Sequence, residues 1–464
     1  MDSNASKYDG APVHDVVVIG AGAAGLWAAT VAAKRGCSVL LLEKTSRTGT
    51  KILASGGSRC NLTTTLSATP AAALFGKKSA RFLRAAFDNL PPERVREHFE
   101  ELGVPTVTAP LEKIFPASQR AKDVRDALLE DALKAGVTIA YESPVTTLVK
   151  ASATDPSAAR WCIGVSGRET IAAHGVPAGD SEETADDAGF VFTNHVFLCS
   201  GGESVPNSGT TGDGYEWLRK LDLVIIPPVP ALVALTSDDA WVHELSGIAL
   251  DPCNARLLDA HGKRLAERRR PVLFTHKGLS GPGAMDLSGH VARGQQEDAT
   301  ARFTVLLDLA PDHSPEEIRN MLVEGAGQTG RPALGALLPV SLPRRLLGFV
   351  AQAAGLSDQI VRRGAMPTLT RSGRHTFIEA LKALPVKITG TLGFDRAEVT
   401  RGGLALKHVN PRTMEVNGHP GLFVFGELLD LDGPIGGLNF QSAWGTAQLA
   451  SEAIEIPSAN VPQG

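Results

Sequence analysis

Three glycines and one carboxylate near the N-terminus have the types and spacing of a phosphate-binding turn. The run Gly20-Ala21-Gly22-Ala23-Ala24-Gly25 follows at once on an apolar stretch, Asp15 to Ile19, and Glu43 stands 18 residues beyond Gly25. Gly20 permits a tight turn. Gly22 lets the backbone close on a pyrophosphate resting on the free N–H groups of a helix N-terminus, and Gly25 lets helix and strand pack closely. Glu43 ends a second apolar run, Ser38 to Leu42, where it is placed to accept hydrogen bonds from a ribose 2′-OH; a carboxylate there repels a 2′-phosphate and excludes NADP from this site. Ala23, Ala24 and Lys44 complete the expected contacts. The glycine spacing alone is weak evidence. Its context, a strand before, an Ala-rich helix to Arg35 stopped by Gly36, and a strand-terminal acid, makes it the βαβ dinucleotide fingerprint.

A second set of residues points to the same edge. Residues 45–64 (TSRTGTKILASGGSRCNLTT) are glycine-rich and densely polar, and they follow the ribose-binding acid directly, so Lys51, Ser55, Gly57, Ser58, Arg59, Cys60 and Asn61 are expected beside the ligand. An apolar run from His195 ends in Ser200-Gly201-Gly202, and another, Leu422 to Phe425, ends in Gly426-Glu427. Gly433, Gly436 and Gly437 then precede a helix expected from about Asn439 to Ile454. Two glycine-rich turns about 400 residues apart, aimed at one sheet edge, require one long ligand. FAD spans that distance, whereas NAD in an ordinary Rossmann domain does not require the C-terminal return. The N-terminus of the last helix would place N–H groups and partial positive charge beside a flavin ring and stabilise its reduced, anionic form. Val145, opening a strand on the same sheet, belongs to the expected FAD set, as do Gly436, Gly437 and Asn439.

These residues need a scaffold, and the pattern supplies one. Helices are expected on either side of Pro91-Pro92 and over Ala121 to Ala135, where Val124, Leu128, Leu129 and Leu133 share a face. Strands are expected at Thr138–Tyr141, Val145–Val149, Trp161–Ser166 and Gly189–Thr193, the last two flanking VPAGDSEETADDAG, whose five acids read as a solvated, mobile insertion. A helix from Tyr215 to Leu221 has Asp213 as its expected cap. Pro227, Pro228 and Pro230 mark a domain boundary; residues 229–310 read as β-rich and 315–384 as helical. The expected organisation is a first part of a FAD-binding domain at 1–226, an inserted domain at 227–388 and the C-terminal part at 389–464.

Composition sets outer limits. The chain has 464 residues and a net charge of −4, which predicts no global attraction to nucleic acid or anionic membrane. A local exception lies between Arg331 and Lys387, where nine basic residues face two acids. Its five cysteines lie at least 23 residues apart with no CxxC pair, which argues against a zinc knuckle or local redox disulfide, and no metal site is expected. Scattered thiols, a polar residue 1–14 segment and the lack of a run of about 20 apolar residues fit a cytoplasmic protein with no membrane partner.

Several segments resemble one family. Val18–Gly25, Lys51–Asn61 (KILASGGSRCN), Phe115–Val124 (FPASQRAKDV), Gly209–Tyr215, Phe274–Pro282 (FTHKGLSGP), Glu398–Gly403 (EVTRGG) and Gly426–Gln441 (GELLDLDGPIGGLNFQ) look like the BaiN/RdsA-like family of FAD-dependent oxidoreductases, which also contains proteins named as aminoacetone oxidases. Departures are Ser58, where Gly is usual, Ser442, where an aromatic is usual, and the acidic insertion near Asp180. The resemblance implies an α/β fold: a glutathione-reductase-like FAD-binding Rossmann domain with an inserted β-barrel plus helical domain. It also implies non-covalent FAD and hydride transfer, with substrates that range over steroid enones, uracil in large-subunit ribosomal RNA, and amines.

Three readings follow. In the first, NAD(P)H docks transiently, since no second fingerprint exists, and reduces FAD, which reduces a conjugated C=C. In the second, the chain is a non-catalytic RNA-associated flavoprotein. In the third, it is a flavin amine oxidase. Saturating a C=C needs a proton donor opposite the hydride; Cys60 is the candidate acid, with packing as the alternative. Arg59 is the candidate partner of a phosphate or of reduced flavin, with a structural ion pair as the alternative. Lys51 and Asn61 are expected at polar edges of the flavin. His276 and Lys277 are candidates to face it from the inserted domain, and Asp430 and Asp432 are candidate bases or loop braces. If the substrate is RNA, Arg344, Arg345, Arg362 and Arg363 are its expected contacts.

Overall fold

The computed structural model describes residues 13–151, 159–166, 188–326, 334–356 and 370–455. The chain forms two units, one of residues 1–228 and 399–464 and one of residues 229–398. The expected acidic insertion near Asp180, together with Arg331, Arg362 and Arg363, lies outside the described residues.

The first unit is built on a seven-stranded sheet in the order Thr138–Ala140, Val39–Leu42, Val13–Ile19, Ala188–Leu198, Trp161–Ser166, Val145–Lys150, with Leu422–Val424 pairing the distal half of Ala188–Leu198. Val13–Ile19, Val39–Leu42, Thr138–Ala140, Ala188–Leu198 and Leu422–Val424 run parallel, so their carboxyl ends share one edge. Val16, Val17 and Val18 are fully buried, as central parallel strands covered on both faces must be. Helix Ala23–Lys34 and the long C-terminal helix Leu438–Ala453 pack on each other. Trp27 and Trp444 meet there at 5.4 Å between ring centroids.

One local expectation changes in the structure. The runs at Gly189–Thr193 and from His195 onward form one strand, Ala188–Leu198. Its first half pairs antiparallel with Trp161–Ser166 and its second half parallel with Leu422–Val424. In the 45–64 segment Thr50–Ser58 is a short helix, broken at Ser55, Gly56 and Gly57, whose dihedrals leave the helical region.

The inserted unit holds two antiparallel sheets. One has the order Ala249–Leu250, Val272–Thr275, Gly278–Ser280, Leu235–Thr236, Gly390–Thr391; the other has the order Arg264–Arg269, Asn254–Leu258, Phe303–Asp308, Leu384–Ile388. Leu384–Ile388 alternates buried and exposed residues, the period of a strand with one face on a core. That core joins Phe274, Val305 and Val386 to Leu346 and Phe377 from the helices that follow the sheets. The pairing of Gly390–Thr391 with Leu235–Thr236 keeps the chain in this unit to Glu398 rather than to the expected residue 388.

Gly25 is the tightest point of the first unit. A Cβ there would lie 1.9 Å from the Gly20 carbonyl oxygen and 3.1 Å from the Cys199 sulfur. Gly25→Ala is therefore expected to destabilise the protein by about 3 kcal/mol or more, beyond ordinary overpacking, because the obstacle is backbone. A denaturant midpoint equal to wild type would show that the helix is free to move away from the strand.

Candidate functional site

The parallel strands bring Gly20–Gly25, Glu43, Ser200–Gly202 and Gly426–Glu427, which follow their carboxyl ends, to one edge. Past Ile19, the turn Gly20–Gly22 opens helix Ala23–Lys34, which has no side-chain cap and no acid in its first turn. Its first N–H groups are therefore left for an anion. A Cβ at Gly22 would meet nothing within 4 Å, so this stretch of backbone is open to a ligand, whereas Gly20 abuts the Cys199 carbonyl. Ala24 touches the far turn: a Cβ on Gly426 would come within 3.2 Å of its methyl.

Glu43 braces this turn. Its carboxylate accepts from the Ala21 N–H at 3.0 Å and from the Thr45 N–H and hydroxyl, both at 2.8 Å. Lys44 turns away to Thr211 and Asp213, each at 2.6 Å. Asp213 is thus an ion-pair partner in the first turn of helix Asp213–Lys220 rather than its cap; Gly212 takes the cap position. Val145 begins its strand two residues after Ser143, whose N–H donates to the Glu43 carbonyl at 2.9 Å.

Four distant segments meet at Glu427. One carboxylate oxygen accepts from Lys51 Nζ at 2.5 Å; the other accepts from the Ser204 hydroxyl at 2.8 Å and the Thr400 N–H at 2.9 Å. Lys51 also donates to Ser204 at 2.7 Å. The buried Thr400 hydroxyl in turn accepts from the N–H groups of Glu203 and Ser204 at 2.8 and 3.0 Å. Gly202 packs against Thr400, leaving no room for a side chain, and Gly201 lies against Thr210.

The segment Ser55–Cys60 is conformationally unusual. Gly56, Gly57, Ser58 and Cys60 all have positive φ, at 55°, 67°, 65° and 60°. Gly57 is exposed with open space about it. The Ser55 hydroxyl donates to the Ile52 carbonyl at 2.7 Å. Asn61 accepts from the Ile114 N–H at 3.1 Å and so pins the loop to strand Lys113–Pro116. Arg59 is exposed, its guanidinium 4.6 Å above the Phe115 ring, and its Nε donates to the Gly56 carbonyl. Cys60 points the other way: it is fully buried, and burial pushes its thiol up to about 12, opposed only in part by Ser55. Losing a proton there would strand a thiolate among apolar side chains, so the surroundings fit packing better than acid chemistry.

The C-terminal turn closes the edge. Gly437 rests on the Thr63 backbone, where a Cβ would lie 2.1 Å from the carbonyl oxygen, while Gly436 has nothing within 4 Å. Asn439 braces the loop itself: it accepts from the Gly433 N–H at 2.8 Å and donates to the Gly433 carbonyl at 2.9 Å. Asp432 lies 3.8 Å from Arg401, which fits a loop brace. Helix Leu438–Ala453 has no side-chain cap and no acid in its first turn. His276 and Lys277, by contrast, occupy an exposed two-residue hairpin turn of the inserted unit.

Three hydroxyls at this edge are buried without a protein partner: Thr48, Ser200 and Tyr215. Burial, with Glu427, Glu203 and Asp430 nearby, raises the Tyr215 phenol. Orphaned polar atoms beside two uncapped helix starts and open glycine backbone are what a bound dinucleotide would satisfy. Thr48, Thr400 and Tyr215 were not singled out from the sequence as ligand-side groups; a lone hydroxyl carries no spacing signal.

Two family models match the chain in turn: the HI0933-like protein Rossmann domain over residues 14–175, and the HI0933-like protein barrel and H2TH domain over residues 229–399. The chain belongs to the HI0933-like family. It is a flavin-dependent oxidoreductase with FAD as cofactor, a Rossmann-type domain and an inserted barrel and helical region, which removes the non-catalytic reading. It is 28% identical to a ribosomal RNA dihydrouridine synthase of Escherichia coli over 95% of this chain and 98% of that protein. The same description and identity hold for a Haemophilus influenzae protein, over 94% of this chain and 98% of that protein. It is 29% identical to a 3-dehydro-bile acid delta(4,6)-reductase of Clostridium scindens, over 95% of this chain and 99% of that protein. Among the described residues, no helix is long and apolar enough to cross a membrane, and no cluster of residues could hold a metal.

Two outcomes are expected. Glu43→Ala orphans the buried Ala21 N–H and should cost about 1–3 kcal/mol of stability, measured on the FAD-free protein, besides weakening FAD retention. Ser58→Gly relieves a left-handed backbone at an exposed position and should raise stability by about 0.5–1 kcal/mol; a loss would show that the Ser58 side chain makes a contact worth more than the strain.

Proposed function

We propose that this oxidoreductase takes electrons from NAD(P)H and saturates a conjugated C=C, its substrate being a uracil ring in large-subunit ribosomal RNA. The observation that carries this reading is end-to-end similarity to proteins whose named reactions share one chemistry. Dihydrouridine formation and delta(4,6) reduction both add two hydrogens across a C=C conjugated to a carbonyl. In the net reaction the C=C gains one hydride equivalent from NAD(P)H and one proton. Bound FAD supplies the two-electron relay between donor and substrate. The chain's own part is to hold that cofactor on the N–H groups after Gly22 and Gly436, to fix the edge through Lys51–Glu427, and to deliver the proton.

We propose Arg59 as the partner of a phosphate or of reduced flavin, a role its exposure supports. It is exposed, and the Phe115 ring fixes its plane while most of its donors stay free. In the inserted unit, Arg344 and Arg371 are exposed, and Arg345 spends one donor on the Glu244 carbonyl. Lys382 drops out of the basic set, because it pairs with Asp308 at 2.7 Å and donates to the carbonyls of Ala310 and His313. We propose Arg344 and Arg345, with Arg362 and Arg363, as RNA contacts.

Nucleoside mass spectrometry of ribosomal RNA from cells with and without the gene tests the substrate: one dihydrouridine should vanish on deletion, and purified enzyme with FAD and NADH or NADPH should restore it. Unchanged dihydrouridine, with reduction of a small enone instead, would move the substrate to small molecules. For the proton, Cys60→Ala is expected to keep turnover within a few-fold of wild type. A fall of about 10²–10⁴-fold in the oxidative half-reaction would assign the acid to Cys60 despite its burial.

A further inference from the structure

The exposed face of helix Lys77–Asn89 carries Lys77, Lys78, Arg81 and Arg84, and Asp88 is the helix's only acid. Lys77, Arg81 and Arg84, spaced four and three residues apart, lie along one stripe with Lys78 beside it. Phe82, Leu83, Ala86 and Phe87 bury the opposite face. The neighbouring helices of this unit pair their cations internally: Arg94 with Glu97 and Arg96 with Glu100 on Pro92–Glu101, Lys122 with Asp126 and Lys134 with Glu130 on Ala121–Lys134. Here Arg84 reaches Asp88 only at 3.6 Å with 82% of its side chain exposed, and Lys77, Lys78 and Arg81 make no ion pair among the described residues.

The two lysines also sit in the first turn, where the helix dipole disfavours positive charge, and no acid or side-chain cap offsets them. The position of this turn is informative. Phe75, two residues before Lys77, packs on the C-terminal glycine loop, since a Cβ on Gly433 would lie 2.6 Å from its ring. The helix itself packs on Leu438–Ala453, whose N-terminus fronts the open Gly436. Unpaired cations, placed against the local dipole, therefore begin at the loop expected beside the flavin.

We infer that this face is a rail for the phosphate backbone of the RNA substrate, leading to the flavin-side turn. The inference rests on the ribosomal RNA reading above and adds to it a contact surface on the FAD-binding unit itself. A solvated face with no partner is the competing account, and it predicts no change in RNA binding when the charges are removed.

The test uses FAD-loaded protein and a fluorescently labelled single-stranded RNA of mixed sequence, about 20 nucleotides long, with binding read by anisotropy across a KCl series. Each phosphate contact contributes about −0.7 to the slope of log K against log salt for a single strand. K77Q/K78Q/R81Q/R84Q should flatten the slope by about 2–3 and weaken low-salt binding at least about tenfold, while its flavin absorbance reports a folded protein. If that variant loses flavin, K77Q/K78Q alone is read, with a slope change of about 1.4. A wild-type slope in the variants overturns the rail and leaves the RNA reading standing. If wild type neither binds the RNA in a salt-dependent way nor forms dihydrouridine, both fall. If the substitutions remove binding to phosphatidylserine vesicles but not to RNA, the face belongs to a membrane surface and the rail is wrong.

Discussion

One carboxylate ties this fold together. Glu427 accepts from Lys51, Ser204 and Thr400, groups up to 376 residues from it in the chain, and it sits where the last parallel strand ends. Lys51 and Glu427 keep only 21% and 22% of their side chains exposed, so water does little to replace either partner. Truncating one member would leave the other charge part-buried and unpaired, the situation in which ion pairs matter most. The network needs every segment in place: helix Thr50–Ser58, the Ser200–Ser204 turn, the strand that re-enters from the inserted unit, and the C-terminal strand. A discontinuous unit interrupted by 170 residues is thereby locked at the edge where its ligand binds.

Local rules are broken at several places in the chain, and some of those places lie near that edge. Ser58 and Cys60 hold left-handed backbone that non-glycine residues avoid, helix Thr50–Ser58 breaks at its centre, and buried hydroxyls at Thr48, Ser200 and Tyr215 lack partners. Each carries a cost. Those that lie beside open glycine backbone fit a site preorganised for a ligand.

What the sequence made legible follows from how local each signal is. The dinucleotide fingerprint was readable because strand, glycine turn, helix and terminal acid fall within 30 residues and each has one physical job. The helices around Pro91-Pro92 and the helix Ala121–Lys134 followed from apolar spacing. Roles set by distant partners were not readable. Thr400 looks like any strand threonine until its hydroxyl is seen capping two N–H groups of a turn about 200 residues earlier. Asp213 looked like a cap because it precedes a helix, yet Lys44, 169 residues away, takes it into an ion pair.

Charge counting shows the same limit from the other side. The window from Arg331 to Lys387 has a large positive excess on paper, but Lys382 is neutralised by Asp308, which lies outside the window, and is fully engaged by two carbonyls. Helix Lys77–Asn89 gives a smaller excess, yet three of its cations are unpaired and its face is uniformly exposed. For a polyanion, what counts is the charge free to displace condensed counterions, not the formal sum. A protein of net charge −4 can therefore present a strongly attractive strip, provided its acids are committed to internal pairs. The helices at Pro92–Glu101 and Ala121–Lys134 make that commitment, and the helix between the Gly433 loop and Pro91 does not.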